Sequence, residues 1–147
     1  MQRRDFVKLI SGAFAMAFIA PITAFAAIWN KAAFETNKLN EAEKKLEINS
    51  EKFSQDILIT VPDKAENGAI VQVEVKSNIP NTETISILVE KNPTPLIAHF
   101  KFSNGAEPFV VTRIKMAETS NVKVVVKAGN QYFTNAKNVI VLENGCG

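Results

Sequence analysis

The stretch Ala69-Ile70-Val71-Gln72-Val73-Glu74-Val75-Lys76 decides the fold class. Val71, Val73 and Val75 fall on one face of an extended chain and Gln72, Glu74 and Lys76 on the other, because successive side chains of a strand point in opposite directions. Valine at every second place suits a pleated surface with one side buried. Working outward, related runs recur between turn residues. Upstream, Ile57-Leu58-Ile59-Thr60-Val61 stops at Pro62. Downstream come residues 84–89 after Ile79-Pro80-Asn81, 96–102 after Pro93-Thr94-Pro95, 109–116 after Gly105-Ala106-Glu107-Pro108, and 122–127 before Gly129-Asn130. A last pair, 131–134 and 137–142, completes the set. Short strands at intervals of roughly a dozen residues, broken by Gly, Pro and Asn, predict an all-β sandwich or barrel. No helical stretch of useful length follows residue 50, which argues against a parallel α/β sheet. An immunoglobulin-like β-sandwich over residues 51–142 is the expectation.

Ahead of the sandwich, residues 27–50 read as a helical segment. Trp29, Ala32, Ala33, Leu39, Ala42 and Leu46 recur every three or four residues, with Glu41, Glu43, Lys44 and Lys45 on the opposite side. One helix packed on the domain by this stripe is expected; docking on a partner chain is the alternative.

The N-terminal 26 residues read as an export signal. Gln2-Arg3-Arg4-Asp5-Phe6-Val7-Lys8 precedes a nearly uncharged apolar run and then Ala24-Phe25-Ala26. A basic start, an apolar middle and an Ala-x-Ala end are the parts of such a signal. The pair Arg3-Arg4, with Phe6 and Lys8 behind it, resembles the twin-arginine type that exports folded proteins. A transmembrane anchor is the competing reading. The run is short for a span, rich in Ala and interrupted by Pro21, so cleavage after Ala26 is expected, giving a periplasmic protein with no remaining membrane segment.

The formal charge of the whole chain is +2. Residues 1–26 hold Arg3, Arg4 and Lys8 against Asp5, so the mature chain carries equal numbers of bases and acids. A nucleic-acid surface would need clustered positive charge, and none is present.

Cys146 is the only cysteine of the chain, set in Glu143-Asn144-Gly145-Cys146-Gly147. It cannot join an internal disulfide framework, so in an oxidising compartment it is reactive or bonds another chain. Gly145 and Gly147 leave the sulfur unobstructed and the backbone free. The tail, residues 143–147, is expected to act as a short arm that enters a site on another protein.

Self-contained catalysis is not expected. His99 is the only histidine, in Leu96-Ile97-Ala98-His99-Phe100-Lys101-Phe102, where alternation groups it with Ile97 and Lys101 as a surface or edge residue. A Cys–His dyad would need a mobile tail to hold a fixed pose, whereas catalytic pairs need a positioned nucleophile and a locked base. One Cys and one His supply at most half of a tetrahedral metal site, so no metal is expected. The charges nearest the thiol, Glu143 and the carboxylate at Gly147, disfavour its thiolate, so activation is left to the site that receives it.

With these residues in view, the chain resembles the SoxY family, sulfur-carrier subunits of the SoxYZ complex in bacterial thiosulfate oxidation. The likeness rests on Ala65-Glu66-Asn67-Gly68-Ala69, Glu90-Lys91-Asn92-Pro93-Thr94-Pro95-Leu96, Thr112-Arg113-Ile114-Lys115-Met116-Ala117 and the Gly145-Cys146-Gly147 tail, joined to the twin-arginine signal. The resemblance implies that Cys146 carries sulfur intermediates and that Asn144, Gly145 and Gly147 give the arm its freedom. No cofactor is implied beyond that covalently attached sulfur. It further implies a non-catalytic protein that pairs with a SoxZ-like subunit. A c-type cytochrome conjugating enzyme, a manganese-dependent sulfate-releasing hydrolase and a sulfane dehydrogenase would act on it. Asn144 departs from the usual Gly-Gly-Cys-Gly-Gly ending; asparagine tolerates positive φ better than most residues, so the hinge is expected to work. Lys91 and Arg113 are read as solvated rather than as guides for an anionic adduct. An exported structural module dimerising through a Cys146 disulfide is the alternative function.

Overall fold

The computed structural model describes residues 30–144; the signal, Trp29 and Gly145-Cys146-Gly147 lie outside the described residues. Among the described residues two short helices, α1 (Lys31–Phe34) and α2 (Leu39–Lys45), precede nine strands. These are β1 (Glu51–Phe53), β2 (Ile57–Thr60), β3 (Lys64–Asn67), β4 (Val71–Ser77), β5 (Thr82–Val89), β6 (Leu96–Lys101), β7 (Phe109–Ile114), β8 (Ser120–Ala128) and β9 (Gln131–Glu143). The larger sheet runs β1-β9-β8-β5-β6, with β3 added beside the far half of β9; the smaller runs β2-β4-β7. The two pack face to face as an immunoglobulin-like sandwich, the class that the alternation predicts.

The opening stretch behaves as its pattern requires. Val71, Val73 and Val75 are buried between the sheets, and β4 pairs antiparallel with β2 on one side and β7 on the other. They join Ile57, Ile59, Ile85, Ile87, Val122, Val124, Met116, Val139 and others in the main core. On the larger sheet, however, Ile85 to Val89 are buried without interruption, as are Val124, Val125 and Val126. Both faces of these strands are covered: the inner by the smaller sheet, the outer by the helices. Ala33, Ala42, Ile48, Leu88, Leu96 and Val125 form that second core.

The single helix expected from Trp29 onward is divided in two. Lys38 is extended, at φ −131° and ψ 137°, and Thr36 turns its hydroxyl back to the Ala33 carbonyl at 3.0 Å. A β-branched residue followed by asparagine offers the backbone this local alternative to a helical bond. The break folds the apolar stripe double, so Ala33 and Ala42 both reach the sheet, whereas Ala32 stays exposed. α2 ends in paired bonds from Glu47 N–H to the Lys44 carbonyl and from Ile48 N–H to the Glu43 carbonyl, with Glu47 at φ +62°. That is a Schellman stop, and it turns Ile48 down into the second core. Lys123 of β8 secures α2 and β1 from below, donating to Glu43 at 2.7 Å and also to Glu51. Burial opposes its charge, but the hydrogen bonds and charges of the two carboxylates outweigh it and hold the ammonium above the usual lysine range.

Three further differences from the sequence reading have local causes. The expected pair 131–134 and 137–142 is one strand. Asn135, which reads as a breaker, donates through Nδ2 to the Ile57 carbonyl at 2.8 Å and is accommodated within the ladder. β1 and β3 carry no alternation signal, and each is held by parallel pairing with β9. Finally, the β5–β6 register shifts between Ile87 and Leu88. The bulge sends Ile97 toward the main core and Leu96 toward the helices, so His99 does not share its face with Ile97.

Candidate functional site

The arm leaves from the end of β9, so its geometry is set by what holds the last residues of that strand. β8 stops pairing with β9 at Ser120–Val139. Past that point the Thr119 hydroxyl takes the place of a strand, accepting from the Val141 N–H at 2.9 Å and donating to its carbonyl at 3.4 Å. On the other side β3 runs parallel, setting Lys64 beside Ile140, Ala65 beside Val141 and Asn67 beside Glu143. Gly68 N–H then donates to the Glu143 carbonyl at 2.8 Å. The strand is thus held as far as Val141 on one edge and to Glu143 on the other, and Asn144 beyond it is exposed.

The three internal segments that carry the family likeness meet here. Asn67 Oδ1 accepts from Ala69 N–H at 2.7 Å, closing the turn that presents Gly68. Gly68 in turn accepts through its carbonyl from Met116 N–H at 2.7 Å, and the Met116 side chain is fully buried. Asn92 is 7% exposed and joins the remaining two segments. Its Nδ2 donates to the Lys115 carbonyl at 2.7 Å, and its Oδ1 accepts from Ala117 N–H at 2.8 Å. Lys91 N–H donates to Ser120 Oγ at 3.1 Å, tying the same loop to the start of β8. Sequence reasoning left these segments unassigned because nothing in a linear pattern says that residues 67, 92, 116 and 143 become neighbours. The available signal is that the first two segments each contain an asparagine, and one a glycine, where a side-chain or close backbone bond is needed.

Of the residues read as expected site members, Asn144 is placed at the root, while Gly145, Cys146 and Gly147 lie outside the described residues, as do Arg3, Arg4, Ala24 and Ala26. Lys91 forms an exposed ion pair with Glu118 at 3.5 Å. Arg113 is exposed on the smaller sheet, opposite Gln72.

His99 lies elsewhere. It sits on β6, an edge strand, with Nδ1 at 2.9 Å from Ser86 Oγ, facing a cavity of about 900 Å³ between α1, α2 and the larger sheet. Burial, then the positive charge of Lys101, lowers its pKa from the ordinary 6.5. Lys31, Lys45 and Lys127 also line this cavity, against Glu47. Across the ladder His99 is level with Ser86, Val125 and Thr134. Thr134 is ten residues from Asn144 along β9, roughly 30 Å at the rise of a strand. Cys146 is two residues past Asn144, a reach of about 7 Å. A Cys146–His99 dyad within one chain is out of reach. Among the described residues, no group of three or more His, Cys, Asp and Glu is placed to hold a metal ion.

The comparisons with known proteins agree with this arrangement. The model of the family described as sulfur oxidation protein SoxY matches residues 42–146. The chain belongs to the SoxY family. That match takes in the sandwich, the three segments around the arm's root and Cys146 itself. The solved structure of the sulfur carrier protein SoxY from Chlorobium limicola f thiosulfatophilum is 37% identical, with a TM-score of 0.66 over 77% of this chain and 99% of that one. Two distant likenesses bear on nothing further. One is a chain from a structure of T cell activation by toxic shock syndrome toxin-1, 14% identical, TM-score 0.40, covering 58% of this chain and 99% of that one. The other is a Jonesia denitrificans lytic polysaccharide monooxygenase, 18% identical, TM-score 0.39, covering 53% and 56%. No curated protein sequence matches the chain significantly.

Proposed function

We propose that this SoxY-family chain is a covalent carrier of sulfur, acting through Cys146 in the periplasm and presenting its cargo to partner enzymes. The observation that carries the reading is the family match, which continues past the sandwich to Cys146. The geometry supports it: a strand end bonded on one edge through Val141 and on the other through Glu143 leads into a short glycine-containing tail. The carrier cycle is the one that the family resemblance implies. Oxidative conjugation joins the Cys146 sulfur to the sulfane sulfur of thiosulfate, releasing one proton and passing two electrons to a c-type cytochrome enzyme. Water then cleaves the bond to the sulfonate group in a manganese-dependent hydrolase, leaving a persulfide on Cys146 and releasing sulfate. A sulfane dehydrogenase oxidises the outer sulfur to a sulfonate, with water supplying the oxygens and the electrons passing to that enzyme's acceptor. A second hydrolysis then releases sulfate and returns the thiol; transfer of the outer sulfur to another nucleophile does so directly. The chain itself is the substrate of these steps and not their catalyst, and a SoxZ-like subunit is its companion. The test is thiosulfate-dependent electron transfer in a reconstituted system. Replacing the wild-type subunit with Cys146→Ala should abolish turnover, and retained turnover refutes the carrier role.

A further inference from the structure

The helices cover only part of the outer face of the larger sheet. Along β5 the outward positions change from Leu88, fully buried in the second core, to Ser86 and Thr84, which line the cavity of about 900 Å³ between α1, α2 and the sheet. The roof of this cavity is tied down at two points. Asn30 Nδ2 donates to the Lys45 carbonyl at 2.7 Å, and the Tyr132 hydroxyl donates to the Leu46 carbonyl at 3.4 Å. The space is thus built into the fold, and it falls in the size range of small-molecule sites. Its lining has two characters. Phe34, Leu46, Ile48 and Val125 make one part apolar. The other is a row across three strands, in which Lys101 of β6 and Lys127 of β8 stand on either side of Thr84.

Charge decides the occupant. Lys31, Lys45, Lys101 and Lys127 line the cavity, and among the described lining residues the only carboxylate is that of Glu47. Lys31 and Lys127 have partners outside the cavity, Glu35 at 3.4 Å and Glu83 at 3.6 Å. Lys45 and Lys101 have no ion-pair partner among the described residues. The next step of the ladder adds an uncharged donor. Ser86 is 3% exposed, and its Oγ lies 2.9 Å from His99 Nδ1. With the serine donating, the ring proton sits on Nε2, which has no other partner among the described residues and can donate to an anion. We infer that the cavity is a binding site for a small organic anion with an apolar body. Its carboxylate or sulfonate group is received at Lys101, Lys127, Thr84 and His99, and its body lies against the apolar part of the lining. A hydrated inorganic ion would leave that apolar part unused, and a neutral apolar molecule would gain nothing from the lysines. The site is separate from the arm, since Thr134, level with His99 in the ladder, is roughly 30 Å along β9 from Asn144. An occupant here does not obstruct Cys146, and the inference does not depend on the carrier reading.

The probes are octanoate and 1-octanol, titrated calorimetrically into the mature protein at pH 7 and low salt. They share an apolar chain and differ in charge. Octanoate should bind at a single site, about tenfold or more tightly than octanol. A Lys45→Met/Lys101→Met protein keeps both apolar stems and loses the two cations that lack a partner. It should bind octanoate about tenfold more weakly and octanol as wild type does. Lys137→Met, which alters an exposed lysine on β9 outside the cavity, should match wild type throughout. Saturating octanoate should also shift the NMR signals of the His99 ring. Absence of saturable octanoate binding overturns the site, as does equal affinity for the two probes or equal weakening by the double substitution and by Lys137→Met. Octanoate binding that leaves the His99 signals unmoved overturns it too. The two-probe comparison and the NMR titration use wild-type protein, so they decide the question whether or not the double variant folds.

Discussion

Asn92 joins two of the segments that support the arm's root, and Asn92→Asp tests how it does so. The substitution keeps size and shape. Oδ1 goes on accepting from Ala117 N–H, but the other atom changes from a donor at 2.7 Å from the Lys115 carbonyl into an anionic oxygen. Losing one neutral hydrogen bond costs about 1 kcal/mol, and setting a mostly desolvated carboxylate against a carbonyl adds roughly 2 kcal/mol. Asn92→Ala loses both bonds without introducing charge and should cost about 2 kcal/mol, with water reaching some of the freed groups. At neutral pH the aspartate variant should therefore be the weaker of the two by about 1 kcal/mol. Its order with alanine should reverse in acid. Once protonated, the introduced carboxyl can donate to the Lys115 carbonyl, so its folded-state pKa is raised above the unfolded one. The group's contribution is then present below the unfolded pKa and lost as pH rises through the folded pKa. Urea unfolding of wild type and both variants from pH 4 to pH 8 reads this directly. A stability curve for the aspartate variant that runs parallel to that of alanine across the range would refute the assignment of Asn92 as donor to Lys115 and acceptor from Ala117.

Two further outcomes follow from the outer face of the larger sheet. Lys123→Met keeps the buried stem but leaves Glu43 and Glu51 facing each other; with the side chains 13%, 20% and 24% exposed, the loss should be about 2 kcal/mol at pH 7, between that of a surface pair and a buried one. Thermal unfolding at pH 7 checks this, and a variant as stable as wild type would contradict the account. His99 has its folded-state pKa below 6.5, so it favours the fold fully above that value and its contribution declines as the unfolded chain takes up a proton in acid. His99→Gln should flatten the stability profile between about pH 5 and pH 7, relative to wild type, as measured by urea midpoints. An unchanged slope would show that another group titrates there.

The fold class was legible because burial between two sheets writes a period of two into β2, β4 and β7, and turn residues mark where the strands end. The signal faded where a second layer intervened. Helices covering the outer face erased the alternation at Ile85–Val89 and Val124–Val126, though continuous valine still reads as strand. β1 and β3 were invisible because each pairs in parallel with β9, far along the chain, and no local pattern records such a partner. The helix break at Thr36 and the bulge at Ile87 are likewise settled by packing, which overrode a stripe and an alternation that looked regular. For the site, the sequence located the thiol but not its support. Asn67, Gly68, Asn92 and Thr119 acquire their roles only when distant segments converge on the end of β9.

Intact mass spectrometry of the mature protein tests the central claim most directly. The protein is isolated without reductant from cells given thiosulfate, measured before and after reduction, and its C-terminal peptide is sequenced. The carrier account predicts reducible additions matching sulfur and thiosulfate, confined to Cys146. An unmodified thiol, or only a disulfide-linked pair of chains indifferent to sulfur supply, would contradict it.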